Sequence, residues 1–362
     1  MTNFSTLKQY YDENNFEEIF KNKQGKLFLK LRSISRTQLL KEFAQENNID
    51  ISQVAARKLF EFIFDKNVSE NKIDSFIRDK YKRDRQSRKS KEDWIYSQLY
   101  KLKIFDWGGL YQNSLEQTIV NNYIKKIQDF DELNKKIENE LHASMRGYVL
   151  NSWYNHWSSI LIEDIFKDHP KVLPTIGLVK KIDFFWKDFP FDLKVTYFPE
   201  GFMALKRREK SLRPELTELK NFARKHKIHF DRNADNKSIF SELLSRITEL
   251  RTQESIEFIE KFHDERKKII LEATKNPKEL IKWLYEEQGP RRFDAANRFF
   301  LVLVDLKNLE DSWKLKRNKK TLVENIKKFL DDNVVNFDDM KITFDFDGKK
   351  YSTYSTVLFV IV

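Results

Sequence analysis

Two short segments, residues 179–186 and 191–198, constrain what this chain can fold into more than any other part of it. Both are aromatic and β-branched, and only Lys187-Asp188-Phe189-Pro190 lies between them, so the pattern predicts a β-hairpin. Strand side chains alternate faces. Asp192, Lys194 and Thr196 therefore share one face of the second strand, while Phe191, Leu193, Val195 and Tyr197 share the other. On the first strand Asp183 points away from Ile182 and Phe184, and a suitable register brings it beside Asp192. Two carboxylates held close repel each other unless one is protonated or a cation bridges them, and hard oxygen donors favour Mg²⁺.

The sequence around this hairpin is mostly helical. Residues 1–140 carry apolar positions at three- and four-residue spacing with few glycines, which predicts a mostly helical region. Within it, 35–46 reads as an amphipathic helix opened by a Ser35–Gln38 capping box, and 51–64 as a second helix after a short turn. Such a pair is either a helix-turn-helix that presents Arg57 and Lys58 to DNA or two helices packed for structure alone. Residues 79–91, DKYKRDRQSRKSK, form the densest charge run. It reads as a solvated linker, with a boundary near Glu92, or as a loop that tracks phosphates.

From residue 141 to 362 the pattern becomes mixed: a helix over 144–166, the hairpin, helices over 215–225 and within 238–287, and a strand over 298–305. A final hairpin is expected from 341–346 and 350–362 around Asp347-Gly348. The expected fold class is α/β in the α+β sense, with a mixed central sheet flanked by helices.

Composition excludes several chemistries. A chain of 362 residues with 40% hydrophobic content and 31 Phe can bury a core. It has no Cys, hence no disulfide, no thiol nucleophile and no Cys-based zinc site, which fits a cytoplasmic setting. The start has no secretory signal pattern, and no apolar run approaches the roughly 20 residues of a membrane span, so no membrane partner is expected. No G-x-x-x-x-G-K-[ST] or G-x-S-x-G occurs, which argues against a nucleotide cofactor and a serine elbow. His226 and His229 have metal-like spacing but lack a Cys or a well-placed acid to complete a zinc site. The net charge of +11 attracts polyanions such as nucleic acid, though an AT-rich coding bias toward Lys gives the same excess.

An acid on one strand followed by acid-any-Lys on the next is similar to the active-site signature of the PD-(D/E)XK nucleases, matched by Asp183 and by Asp192-Leu193-Lys194. Glu163, on the helix before the hairpin, stands where that superfamily often carries a Glu. The likeness covers residues 145–230, and the Pro that commonly precedes the first Asp is replaced by Ile182. The resemblance implies a restriction-endonuclease-like core and Mg²⁺ held by Asp183, Asp192 and the Leu193 backbone carbonyl. It also implies that Lys194 orients or deprotonates the attacking water, with Glu163 as a further member. The expected activity is sequence-specific cleavage of double-stranded DNA of the type II restriction kind, leaving 5′-phosphate ends, by a homodimer. The alternatives are a non-catalytic helix-turn-helix DNA-binding protein and a repair or transposon-type nuclease with the same core. For DNA contact the residues singled out are Arg57 and Lys58 of the helix pair, Lys206, Arg207 and Arg208 as a phosphate clamp, and Arg291, Arg292, Asn297 and Arg298 as base readers, since Arg suits guanine and Asn suits adenine in the major groove.

Overall fold

Helices account for most of the chain in the computed structural model, which describes residues 3–105, 119–176, 181–289, 293–332 and 336–362. The chain divides into two compact units. Unit 1 holds Met1–Leu7, Asn22–Phe191 and Trp313–Asn333, and unit 2 holds Lys8–Lys21, Asp192–Ser312 and Val334–Val362. Neither unit ends near residue 140. The His142–Lys167 helix lies just beyond that point and packs against both Glu92–Leu99 and Lys319–Asp332, so the chain on either side belongs to one core.

In unit 1 the basic run proves to be neither linker nor loop. It forms part of the 20-residue helix Glu70–Lys89. One face of that helix is buried through Ile73, Phe76, Ile77, Tyr81 and Arg85. Arg85 reaches Asp168 at 2.8 Å and also pairs with Glu92, Arg88 reaches Asp164 at 2.8 Å, and the Tyr81 hydroxyl donates to Asp168 at 2.9 Å. The apolar period is hidden in the sequence because Arg85 takes an apolar position and is neutralised there by Glu92 and by the distant Asp164 and Asp168.

The predicted helix pair is also shorter than its pattern suggests. The first helix is Thr37–Glu46, and its N-cap is Arg36 with no side-chain hydrogen bond, so the Ser35–Gln38 capping box does not form. Asp50 accepts from the Ser52 amide at 2.9 Å in a local turn, and helix resumes only as a short 3₁₀ turn at Ala56–Lys58 and then Leu59–Asp65. Phe28, Phe60 and Phe64 surround Phe4 with ring centroids 4.7–5.7 Å away, which gives this region an aromatic core.

The strands, in chain order, are β1 (Val172–Pro174), β2 (Phe184–Trp186), β3 (Phe189–Tyr197), β4 (Arg298–Val304), β5 (Lys341–Phe346), β6 (Lys349–Tyr354) and β7 (Thr356–Ile361). The expected hairpin exists as β2 and β3, but its turn is only Lys187-Asp188, with φ of 50° and 66°, and Phe184, Phe185 and Trp186 pair with Phe191, Pro190 and Phe189. Asp188 holds the turn through Lys26 at 3.3 Å and Lys30 at 3.2 Å. The first strand begins at Phe184 rather than 179. Lys181 has φ of 74°, which interrupts extended backbone, and 177–180 lie outside the described residues.

In unit 2, residues 192–197 of β3 pair in parallel with Arg298–Leu303 of β4, and β4 pairs in parallel with β7. Every residue of β4 is buried, as a central parallel strand requires. Strand hydrogen bonding runs β1-β2-β3-β4-β7, antiparallel up to β3 and parallel beyond it, so the sheet is mixed and the fold is α+β. The predicted C-terminal hairpin forms from β5 and β6, with Asp347 and Gly348 at φ 49° and 72°. Its second segment then divides at Ser355. That residue's amide donates to Met340 and its hydroxyl meets Tyr285 at 2.7 Å, which frees β7 to join β4. Among the described residues no helix is long and apolar enough to cross a membrane.

Burial creates one strong pH dependence in unit 1. Lys316 is 6% exposed and donates to Asn155 at 2.8 Å, and desolvation pushes its ammonium pKa down from 10.5 to about 8. Between these values the unfolded chain binds the proton and the folded chain does not. The contribution, of order 3 kcal/mol, therefore opposes folding below pH 8 and is relieved as pH rises. The buried tyrosines Tyr81, Tyr96 and Tyr154 have pKa values raised by burial and act in the opposite direction above their unfolded values near 10. Urea denaturation is expected to show stability rising from pH 8 to about 10, and Lys316→Met is expected to flatten that rise; an equally steep rise in the variant would assign it to other groups.

Candidate active site

The chemistry-bearing strand is β3, and the division into units falls within it, between Phe191 and Asp192. Asp192 and Lys194 accordingly belong to unit 2, and Asp183 and Glu163 to unit 1.

On the unit 2 side, alternation along β3 brings Asp192 and Lys194 together. The ammonium lies 2.8 Å from Oδ1 and 2.7 Å from Oδ2 of the carboxylate. Asp192 is 8% exposed, and its amide donates to Asn297 across the parallel ladder at 2.9 Å. A second cation approaches it, with Arg298 Nε 3.7 Å from Oδ2. Arg298 is buried over the Tyr285 ring at 4.9 Å and donates to Gln288 at 2.7 Å. Tyr285 donates in turn to the Ala296 carbonyl at 2.7 Å, and burial raises its phenol pKa. The Lys194 side chain is 46% exposed, so its head remains open to a ligand. Leu193 and Val195, expected in the core, are only half-buried, because burial along β3 falls off after Asp192.

On the unit 1 side, Asp183 lies in the bend just before β2 and is half-buried. Its amide donates to the Phe191 carbonyl at 2.7 Å, and its own carbonyl accepts from the Thr175 hydroxyl at 2.7 Å. Glu163 projects from the His142–Lys167 helix and pairs with Lys167 one turn later. Lys167 also donates to the Thr175 carbonyl at 3.4 Å. Thr175 therefore joins the backbone of Asp183 to the Lys167–Glu163 pair. Neither Thr175 nor Lys167 stands out in sequence, because each acts through proximity rather than through a motif.

Hard carboxylate and carbonyl oxygens are the donor type that Mg²⁺ takes, and Asp192 already gathers cationic charge from Lys194 and Arg298. Among the described residues no three or more His, Asp or Glu side chains cluster within reach of one ion.

The residues singled out for DNA contact have different settings. Arg57, Lys58 and Arg208 are exposed, with Lys58 paired to Glu61 at 2.8 Å. Lys206 is half-buried and pairs with Glu209 at 2.9 Å and with Glu279. Arg207 is 1% exposed and bound to Glu218 at 2.7 Å and Glu265 at 3.1 Å. The Asn297 amide oxygen accepts from Thr353 at 3.1 Å and from the Tyr354 amide at 3.0 Å, and both Asn297 and Arg298 are buried. Arg291 and Arg292 lie outside the described residues. Unit 1 adds a cleft of about 810 Å³ that the sequence did not disclose, where Arg78, Lys82, Lys89, Lys319 and Lys327 outnumber Glu92 and Asp168.

These contacts predict different stability effects along β3. Asp192→Ala should destabilise by about 1–3 kcal/mol, because the buried Arg298 loses its carboxylate. Lys194→Ala should cost less than about 1 kcal/mol, its pair being half in water. Urea titration of both variants checks this, and a neutral Asp192 variant would mean that Arg298 is sufficiently held by Gln288 and Tyr285.

Compared with protein-family models, with curated proteins and with solved structures, the chain finds no match.

Proposed function

We propose that the protein is a Mg²⁺-dependent double-stranded DNA endonuclease of the type II restriction kind, acting as a cytoplasmic homodimer. The observation that carries this reading is the Asp192–Lys194 pair, with an exposed ammonium held 2.7–2.8 Å from a shielded carboxylate at the start of a parallel strand. Two further features support it. The hairpin register pairs Phe184 with Phe191, and Asp183 and Asp192 are their immediate chain neighbours. A long helix carrying Glu163 precedes the hairpin, as the resemblance to PD-(D/E)XK nucleases implies.

In this reading Asp192 and the Leu193 carbonyl would hold Mg²⁺, with Asp183 a further ligand only as the resemblance to PD-(D/E)XK nucleases implies. When bound, the ion supplies a polarised phosphate and a water made more acidic. Arg298 fixes the Asp192 carboxylate from its buried side, so that the oxygens do not need to reorganise. Lys194 offers an N–H from its exposed Nζ to the attacking water or to a phosphate oxygen. The cations of the unit 1 cleft, Lys82 and Lys89 among them, add attraction for the DNA backbone.

Plasmid cleavage tests the reading. Mg²⁺ is expected to give discrete fragments with 5′-phosphate ends, and Ca²⁺ to support binding with little cutting, since it takes looser geometry. Asp183→Ala, Asp192→Ala and Lys194→Ala should each abolish cleavage, with DNA binding retained in the Lys194 variant. Equal activity in chelator, or a folded Lys194→Ala protein that cuts at the wild-type rate, would overturn the assignment. Cutting without fixed fragments would point to a repair or transposon-type nuclease, and binding without any cutting to a non-catalytic DNA-binding protein.

A further inference from the structure

Among the described residues the connection from β3 to β4 contains five helices, and three of them, Glu215–Lys225, Asn236–Glu249 and Gln253–Lys275, have a hydrophobic core of their own. Leu219, Ala223, Ile239, Leu243, Ile247 and Phe262 form that core. Where the first helix ends, a hollow of about 470 Å³ opens, lined by Lys220, Arg224, Lys227, His229 and Arg232 around Phe230, with no carboxylate in its wall.

The counter-charges of this region are placed elsewhere. Lys225 and His226, on the same turn, pair with Glu254 at 3.5 and 3.2 Å. Asp231 turns back to accept from the Asn233 amide at 2.9 Å, and Asp235 caps the next helix by accepting from Lys237 and Ser238. Among the described residues no carboxylate lies within 4.0 Å of the charged ends of Lys220, Arg224, Lys227 or Arg232. Lys227 also occupies the position just past the helix, at φ 55°, where glycine is the usual residue, and the Ile228 amide closes the turn on Ala223 at 2.8 Å. Four cations thus line one hollow with no carboxylate partner among the described residues, Arg224 reaching only the Asn221 side-chain oxygen at 3.5 Å, so the hollow presents a positive field that attracts anions.

We propose that this hollow is a second DNA-contact surface, which grips the phosphate backbone of a duplex independently of base sequence. Phosphate oxygens match Arg and Lys donors. Single-strand binding relies on exposed aromatic platforms, and the one large aromatic side chain in this wall, Phe230, is half-buried against the three-helix core. The choice of DNA over other polyanions rests on the nuclease reading, whereas the attraction to phosphate does not.

The test measures fluorescence anisotropy of a labelled, arbitrary 20-base-pair duplex with the full chain, in chelator so that nothing is cut, over a range of KCl concentrations. The charge-reversed triple variant Arg224→Glu, Lys227→Glu, Arg232→Glu should bind more weakly and lower the slope of log affinity against log salt by roughly two to three. The charge-preserving variant Arg224→Lys, Lys227→Arg, Arg232→Lys should keep the wild-type slope, and equal thermal midpoints would show that both variants fold. An unchanged slope in the charge-reversed protein overturns the proposal. Tighter binding of single-stranded RNA than of the duplex overturns it too, as does displacement by millimolar inorganic phosphate at constant ionic strength. Since cleavage is not measured, loss of the nuclease reading through the Lys194 variant leaves this result standing, and the reverse also holds.

Discussion

Each unit depends on neutralising cations that have been taken out of water. Arg85 in unit 1, and Arg207, Arg266 and Arg298 in unit 2, are all buried. Each is met by carboxylates from its own unit: Arg85 by Asp164, Asp168 and Glu92, Arg207 by Glu218 and Glu265, Arg266 by Glu215 and Glu310, and Arg298 by Asp192. A buried ion pair contributes little net stability, but losing one partner is costly, so such pairs fix which helices can lie together. Glu215 carries the strain of this arrangement, because desolvation raises its pKa even though Arg266 and Arg207 lower it.

Asp192 belongs to this same set of acids, which gives it two roles. It neutralises Arg298 from the buried side and presents its carboxylate to Lys194 on the open side. In a catalytic reading the first role serves the second, since a carboxylate already oriented by a fixed guanidinium is preorganised for an incoming ligand. The effect of Asp192 on stability is therefore separate from the role proposed for it in cleavage, and Lys194, half in water, is the cleaner probe of that proposal.

Charge is also distributed unequally over the surface. Arg85, Arg207, Arg266 and Arg298 meet carboxylates, whereas among the described residues no carboxylate pairs with Lys220, Arg224, Lys227 or Arg232 of the unit 2 hollow or with Lys82, Lys89 or Lys327 of the unit 1 cleft. These two hollows gather cations that would hold a polyanion at several points.

Local pattern alone determined much of the fold. The helix 215–225, the long helix read over 144–166, the buried strand β4 and the turn at Asp347-Gly348 follow from apolar period and turn chemistry, which act over a few residues, whereas the turn read over 187–190 closes to Lys187-Asp188 alone. Asp192 and Lys194 were legible for the same reason, because strand alternation puts them on one face. Only the tertiary structure decided the rest. It drew most of the 79–91 charge run into the Glu70–Lys89 helix by supplying Asp164 and Asp168 at the end of the His142–Lys167 helix, and it buried Arg207, Asn297 and Arg298, whose composition suggested surface contacts. It also divided the last segment at Ser355 between a hairpin and the parallel sheet. In each case the partner lies far away in sequence, and whether a charged side chain faces water or a matching charge is set by that partner, which no local window contains.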